Sequence, residues 1–401
     1  LAGAKAAGTL RDEGFDGRLV LIGAEDELPY ERPPLSKDFL RGEIEREAFQ
    51  VYAAAFYVER EIDLRPGRTA VRLEPATREV TLDDGERLRW DRLLLTTGAQ
   101  PRRLAIAGIE LDGVRELRTV GDSLALRERL QPGVRVVVVG AGWIGSEVAA
   151  SARQRGAEVT LLDPLAVPLE HVLGTELGTL YRDLHDEHGV KLLMNTGAAA
   201  VEGRRAVERV LTTDGRALDC DLVVVGIGVV PRTDLAADAG IAVDNGILVG
   251  DRLQTSVPGV FAAGDVANAE HPFYGRRVRV EHWANALEQG PAAARNMLGG
   301  DQPYDRLPYF YSDQYDVGME YAGLARPTDR VVIRGDLAGR ELIAFWLSDD
   351  RVVAGMNVNV WDVTDAIQQI IRSRAPVDVG RLADPDVPLE QLVPADDASD
   401  A

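Results

Sequence analysis

The sequence predicts an α/β protein with parallel sheets and two Rossmann-like βαβ units. Three observations carry that prediction. Gly140-Ala141-Gly142-Trp143-Ile144-Gly145 is a G-x-G-x-x-G turn set between a strand-like and a helix-like run. The first residues, LAGAKAAGTLRDEGF, repeat the helix half of such a unit with the same internal spacing. Three further apolar runs, LLLTTG from Leu93, LVVVGIG from Leu222 and VFAAGD from Val260, end in glycine turns as buried parallel strands do.

VRVVVV before the turn has the composition of a parallel strand buried on both faces, and SEVAASARQRG after it reads as a helix. EVTLL follows as the second strand and ends on Asp163. Gly140, Gly142 and Gly145, with Trp143 and Ile144 between them, let the backbone approach a pyrophosphate at a helix N-terminus, where free N–H groups and the positive dipole end point. Asp163 would accept from a ribose 2′-OH and repel a 2′-phosphate, and no arginine stands close behind it in DPLAVPLEH. The unit therefore predicts NADH rather than NADPH. A parallel-sheet turn without a ligand is the alternative.

The start of the chain matches this unit. Gly145 is followed 11 residues later by Gly156 and then by the strand ending at Asp163. Gly3 is followed 11 residues later by Gly14, then by RLVLIG and Glu25. Ala2 and Gly3 thus read as the end of a second fingerprint. A strand of about 5–6 residues and two glycines are expected to precede Leu1 in the whole polypeptide. Two fingerprints imply two dinucleotides, FAD and NAD(P)H. Thr97-Gly98, Gly226-Ile227-Gly228 and Gly264-Asp265 are the turns after the three other strands.

Composition narrows the function. At 401 residues, 45% hydrophobic and 27% charged, the chain has room for two or three globular domains. No apolar run approaches the roughly 18–20 residues of a membrane-spanning helix. No targeting segment is recognisable, so a cytoplasmic protein is expected. Cys220 is the single cysteine, which excludes a redox disulfide within the chain and a protein-held iron–sulfur cluster. Its expected role is a small buried hydrophobe, with a reactive thiol as the alternative. The five histidines show no zinc-ligand spacing, and no metal site is expected. A net charge of −20 disfavours nucleic acid as a partner. Six acids and no Lys or Arg between Asp384 and Ala401 predict a solvated acidic tail.

The segments LPYERPPLSKDFLRG, GAGWIGSEVAA, GIGVVP, VFAAGDVA, EHWANALEQG and YFYSDQYD, in that order, resemble the FAD-dependent NADH:ferredoxin reductases of bacterial oxygenase systems. These belong to the rubredoxin and ferredoxin reductase family, with a glutathione-reductase-like fold of two dinucleotide domains. The resemblance spans essentially the whole chain. It implies an FAD-binding domain over residues 1–108 and 233–305, an NAD-binding domain over 109–232, and a C-terminal α/β domain with the acidic tail over 306–401.

The resemblance also implies roles. Lys37, held after the stiff Pro33-Pro34 turn, would stand beside the flavin N5 with Glu147 as its partner. The alternative is an exposed loop lysine and an acid complementing a helix dipole. Glu25 would hold the FAD ribose, although related sequences often carry the acid where this chain has Ala24. Arg32 and Arg118 would lie near the FAD phosphates or adenine, with surface salt bridges as the alternative. Val71 would meet the adenine through its backbone. Asp265 would bind the ribityl or phosphate region, or simply cap a helix. Trp283 would lie near the isoalloxazine or else in the core. Ala2, Gly3, Thr97, Gly98 and Gly264 would complete the FAD contacts, and Gly226 and Gly228 those to NAD. Tyr311 replaces a tryptophan often found in this motif.

An acidic ferredoxin needs a local basic face on an acidic reductase. Arg276, Arg277 and Arg279 are the first candidates, with Arg372 and Arg374 beside them. Scattered solvated arginines are the alternative. Rubredoxin reductase, an NADH oxidoreductase using oxygen, a quinone or monodehydroascorbate, and an apoptosis-inducing-factor-like redox sensor are the rival functions. Nothing in the sequence sets the oligomeric state.

Overall fold

The computed structural model describes residues 1–393. The chain divides into two compact units, each assembled from separated segments. The first comprises Leu1–Pro34, Ile44–Gln100 and Val229–Pro308; the second comprises Leu35–Glu43, Pro101–Gly228 and the chain from Tyr309 on.

In the first unit the small residues of the opening segment form the helix Ala2–Asp12, with Ala4, Ala6 and Ala7 buried. Their size matters because this helix lies against the helix Trp283–Met297: a Cβ on Gly290 would come within 2.3 Å of the Ala2 carbonyl oxygen. Leu19–Ile22 pairs in parallel with Ile62–Arg65, and Leu93–Leu95 with Val260–Ala262. Two three-stranded sheets complete the unit, and Leu73, Val80, Leu82, Leu95, Val249 and Val260 join in one apolar cluster.

The second unit contains a five-stranded parallel sheet in the order Lys191–Met194, Glu158–Asp163, Arg135–Val139, Leu222–Val225, Val114–Arg115. Alternation along its central strand explains the unbroken VVVV. Val136 and Val138 enter one cluster with Val148, Ala149 and Ala152, whereas Val137 and Val139 enter another with Leu162, Val223 and Cys220. A strand covered on both faces needs an apolar residue at every position. Cys220 is buried, and burial pushes its thiol up to about 12, so it packs as a small hydrophobe.

The same unit holds a five-stranded antiparallel sheet in the order Tyr309–Gln314, Val317–Gly323, Arg351–Val358, Glu341–Ser348, Arg330–Asp336. The helix Glu170–Glu187 lays Leu173, Leu177, Tyr181 and Leu184 in one cluster with this sheet's Met319, Trp346 and Met356. The end of the chain corrects the expectation of a wholly solvated tail from Asp384. Leu389–Leu392 forms a short 3-10 helix with both leucines buried, because Arg334 grips the carbonyls of Pro385 and Val387 at 3.1 and 2.5 Å. The rest of that tail lies outside the described residues. Among the described residues no helix is long and apolar enough to cross a membrane.

Candidate active site

The G-x-G-x-x-G loop is built by backbone packing on backbone. Gly140 has φ +101°, and a Cβ there would meet the Gly226 carbonyl oxygen at 2.5 Å. A Cβ on Gly145 would sit 1.9 Å from the Gly140 carbonyl oxygen. Gly142 differs: nothing lies within 4 Å of where its Cβ would be, and it caps the helix Trp143–Gln154 without any side-chain cap. Space and unused N–H groups therefore coincide at a helix N-terminus, which is the donor set a pyrophosphate needs. Trp143 and Ile144 open the helix, with Ile144 exposed. Gly228, at φ +94°, also faces open space.

Asp163 ends its strand as expected, yet its carboxylate already works within the protein. Oδ2 accepts from the Ala141 N–H at 2.8 Å and Oδ1 from the Leu165 N–H at 2.9 Å. It braces the glycine loop, and each oxygen retains a lone pair for a ribose hydroxyl.

One turn into the same helix stands Glu147, buried at 3% exposure. Lys37 reaches it from Leu35–Glu43, the short segment that belongs to the second unit. Hydrogen bonds pin this segment there. Ser123 Oγ donates to the Leu35 carbonyl at 2.8 Å, Ser151 Oγ to the Ser36 carbonyl at 2.6 Å, and Arg155 to the Arg41 carbonyl at 2.7 Å. The one-turn 3-10 helix Pro33–Ser36 delivers Lys37 to the pair.

Lys37 Nζ lies 2.7 Å from Glu147 Oε2, with the two side chains 8% and 4% exposed. The exposed-loop alternative for the lysine is thereby overturned. Ser36 Oγ donates to the same oxygen at 2.5 Å, and Ser312 Oγ donates to Oε1 at 2.7 Å. The Tyr311 ring centroid is 5.6 Å from the ammonium, so the aromatic replacement still offers its π face to a cation. Burying an ion pair is costly unless its remaining lone pairs are satisfied, and here two hydroxyls do so. The arrangement holds a proton-bearing cation in a dry place, where it can stabilise negative charge or give up a proton at Nζ. Sequence reasoning paired Lys37 with Glu147 but missed both serines. One adjoins the lysine in the chain, while the other opens the SDQ of YFYSDQYD, 165 residues from the carboxylate it meets.

The first unit gathers most of the other predicted residues. Glu25 accepts from Tyr30 Oη at 2.5 Å and from Arg32 at 2.9 Å, and Arg32 lies over the Tyr30 ring. Asp265 acts electrostatically on both Arg32 and His282, the residue before Trp283. Gly264 donates to Gln289 at 2.9 Å, and a Cβ on it would touch that of Ala2 at 3.4 Å. Gly3 faces Thr96 and Leu21, while Thr97 Oγ1 donates to the Arg232 carbonyl at 2.7 Å beside Gly98, at φ +67°. A glycine turn, an acid after the strand and the small residues Ala2 and Gly3 between them again form a set that fits a dinucleotide.

Several expectations need correction. Asp265 caps no helix: a turn follows it, then the strand Ala267–His271, because AEH leads into a hairpin with Arg276–Val278. Val71 lies on the strand Ala70–Glu74 with its side chain exposed, and Arg118 stands in the second unit just before the capping box of the helix Val120–Arg129; these placements leave both expectations as they were. Of the proposed basic group only Arg276 is exposed. Arg277 pairs with Glu270 at 2.8 Å and donates to two carbonyls, and Arg279 pairs with Glu281 at 2.6 Å with a side chain only 11% exposed. Those two arginines are neutralised structural pins. Arg372 and Arg374 are exposed at the end of the helix Thr364–Ser373.

His185 lies fully buried in the second unit, and burial brings it from its ordinary 6.5 down to about 4. Between those values the unfolded chain binds a proton that the fold refuses, so stability must fall as pH drops. We expect this residue to contribute a loss of about 2 kcal/mol between pH 7 and pH 5. Urea unfolding of the wild type and of His185→Gln at both pH values measures it; equal pH dependence in the two proteins refutes the assignment.

A family model described as pyridine nucleotide-disulphide oxidoreductase matches residues 1–290, and one described as reductase C-terminal matches residues 309–393. The chain is 38% identical over 401 residues to putidaredoxin reductase of Pseudomonas putida, covering 98% of this chain and 95% of that protein. It is 41% identical over 397 residues to the anthranilate 1,2-dioxygenase system ferredoxin–NAD(+) reductase component of Burkholderia cepacia, covering 98% and 97%. The crystal structure of the covalent putidaredoxin reductase–putidaredoxin complex matches with a TM-score of 0.94 at 38% identity, covering 99% of this chain and 97% of that one. With the glycine loop and the buried Lys37–Glu147 pair in place, and although its one cysteine rules out an internal disulfide, the chain belongs to the pyridine nucleotide-disulphide oxidoreductase family.

Proposed function

We propose that this protein is an FAD-dependent NADH:ferredoxin reductase, delivering electrons to a two-iron, two-sulfur ferredoxin that feeds an oxygenase. The observation that carries the reading is the buried Lys37–Glu147 pair, one helical turn below an open glycine loop, in a chain with no cysteine pair. Disulfide chemistry is therefore unavailable. When bound, the nicotinamide and flavin supply hydride transfer and one-electron delivery.

The protein's residues do the rest. Gly140, Gly142 and Gly145 open the N-terminus of Trp143–Gln154 to the NADH pyrophosphate, and Asp163 braces that loop and favours a free 2′-OH. Ala2, Gly3, Glu25, Arg32, Gly264 and Asp265 are assigned to FAD, with Trp283 beside its ring system. Lys37 holds a cation for the reduced flavin, and Glu147 keeps that cation in place. We assign residues 1–108 and 233–305 to FAD binding, 109–232 to NAD binding and the chain from 306 to the C-terminal domain. A cytoplasmic site of action suits the use of NADH.

Stopped-flow reduction by NADH, followed by a two-iron, two-sulfur ferredoxin or by oxygen alone, tests the reading. Reoxidation should be fast only with ferredoxin; fast reoxidation by oxygen alone favours the small-acceptor rival. Arg276→Glu should lower kcat/KM for ferredoxin several-fold and flatten its salt dependence, with reduction by NADH unchanged. Unchanged ferredoxin kinetics and salt dependence would remove Arg276 from the docking face.

A further inference from the structure

The SDQ of YFYSDQYD lies in the strand Tyr309–Gln314, part of the antiparallel sheet, yet two of its side chains are buried polar groups. Ser312 and Gln314 are 2% and 1% exposed, and His185 behind them is 0% exposed. Their hydrogen bonds run in one line. His185 Nε2 lies 3.0 Å from Gln314 Oε1, Gln314 Nε2 donates to Ser312 Oγ at 3.5 Å, and Ser312 Oγ donates to Glu147 Oε1 at 2.7 Å.

Chemistry fixes the direction of that line. An amide oxygen only accepts, so the neutral imidazole must carry its proton on Nε2. The amide then spends an N–H on the serine oxygen, and the serine spends its O–H on the carboxylate. Every dipole points its positive end toward Glu147. Bonds aligned in this way polarise one another and strengthen the last of them. Lys37 and Ser36 occupy the other carboxylate oxygen. Tyr181 and Asp313 also act electrostatically on this site, and Asp38 and Arg41 act on Asp313.

We propose that Ser312, backed by Gln314 and His185, is a positioning residue for the Lys37–Glu147 pair: it fixes the Glu147 carboxylate so that Oε2 stays aimed at Lys37. The C-terminal sheet thereby sets the geometry of a group on the nucleotide-binding helix. The inference rests on the role assigned to Lys37 above.

Three lysines in the whole sequence, Lys5, Lys37 and Lys191, make a direct test practical. Lysine labelled with ¹⁵N at Nζ, with Lys37→Met to assign the signal, reports how fast the Lys37 ammonium exchanges protons with water. This measurement needs neither NADH nor turnover. Ser312→Ala should speed that exchange about tenfold and slow the NADH-driven reduction step about tenfold, with the NADH Kd unchanged, as loss of one charge-assisted bond predicts. Ser312→Thr keeps the hydroxyl and should restore both. Gln314→Leu should show a smaller change in the same direction. Exchange within twofold of wild type in Ser312→Ala, or a Ser312→Thr as impaired as Ser312→Ala, overturns the proposal. A Lys37→Met that is reduced by NADH at the wild-type rate instead overturns the role of Lys37, whatever the exchange shows.

Discussion

Lys37→Met is expected to slow reduction by NADH about a hundredfold or more, to leave NADH affinity nearly unchanged, and to destabilise the protein by about 3 kcal/mol. The two effects have separate causes. Catalysis suffers because the cation assigned to the reduced flavin is gone, and that interaction is made after hydride transfer begins rather than on binding. Stability suffers because Glu147 is left charged at 3% exposure. Breaking a buried pair costs about 3–5 kcal/mol, and the two serines on Glu147 place this case at the lower end.

The double variant Lys37→Met/Glu147→Gln separates these causes. With no charge stranded, most of the stability should return while the reduction step stays slow. Stopped-flow absorbance and urea unfolding of the single and double variants measure both. A double variant that regained speed along with stability would show that Lys37 is structural alone.

How far the sequence could reach depends on whether the signal was local. The strand, glycine turn and helix around Gly140–Gly145 were legible because sterics and periodicity act within about 25 residues. The same holds for the opening helix, where alanine or glycine at every inward position except Leu10 announced a close neighbour. Pairing of Lys37 with Glu147 was reached only through resemblance, since the residues stand 110 positions apart and either is ordinary alone. Ser312 was out of reach for a related reason: a serine in a strand carries no mark of the carboxylate it will meet. The arginines failed in the opposite sense. GRRVRVEHW reads as a basic surface, but Glu270 and Glu281 sit where strand pairing and the following turn put them, and they consume two of the three charges. Asp265 misled because a Gly-Asp turn precedes helices and hairpins alike, and only the partner strand decides which.

Gly145→Ala should damage both the fold of the second unit and its binding of NADH. The added Cβ would fall 1.9 Å from the Gly140 carbonyl oxygen and 3.0 Å from its carbon, and backbone cannot swing aside as a side chain can. The helix must lift from the strand, carrying with it both the N–H groups of the loop and Glu147, only two residues further on. Overpacking of this kind costs about 1–3 kcal/mol. A displacement of about 1 Å at the loop should raise the NADH Kd a hundredfold or more. Gly142→Ala is the informative contrast. Its Cβ would meet nothing within 4 Å, and its backbone, at φ −75°, accepts any residue. The fold should lose no more than about 1 kcal/mol there, yet NADH binding should fall at least tenfold, because the methyl group occupies the space assigned to the pyrophosphate. Fluorescence titration with NADH and urea unfolding compare the two. If Gly142→Ala binds NADH as tightly as the wild type, the open space above that glycine is not the pyrophosphate cradle and the nucleotide must lie elsewhere.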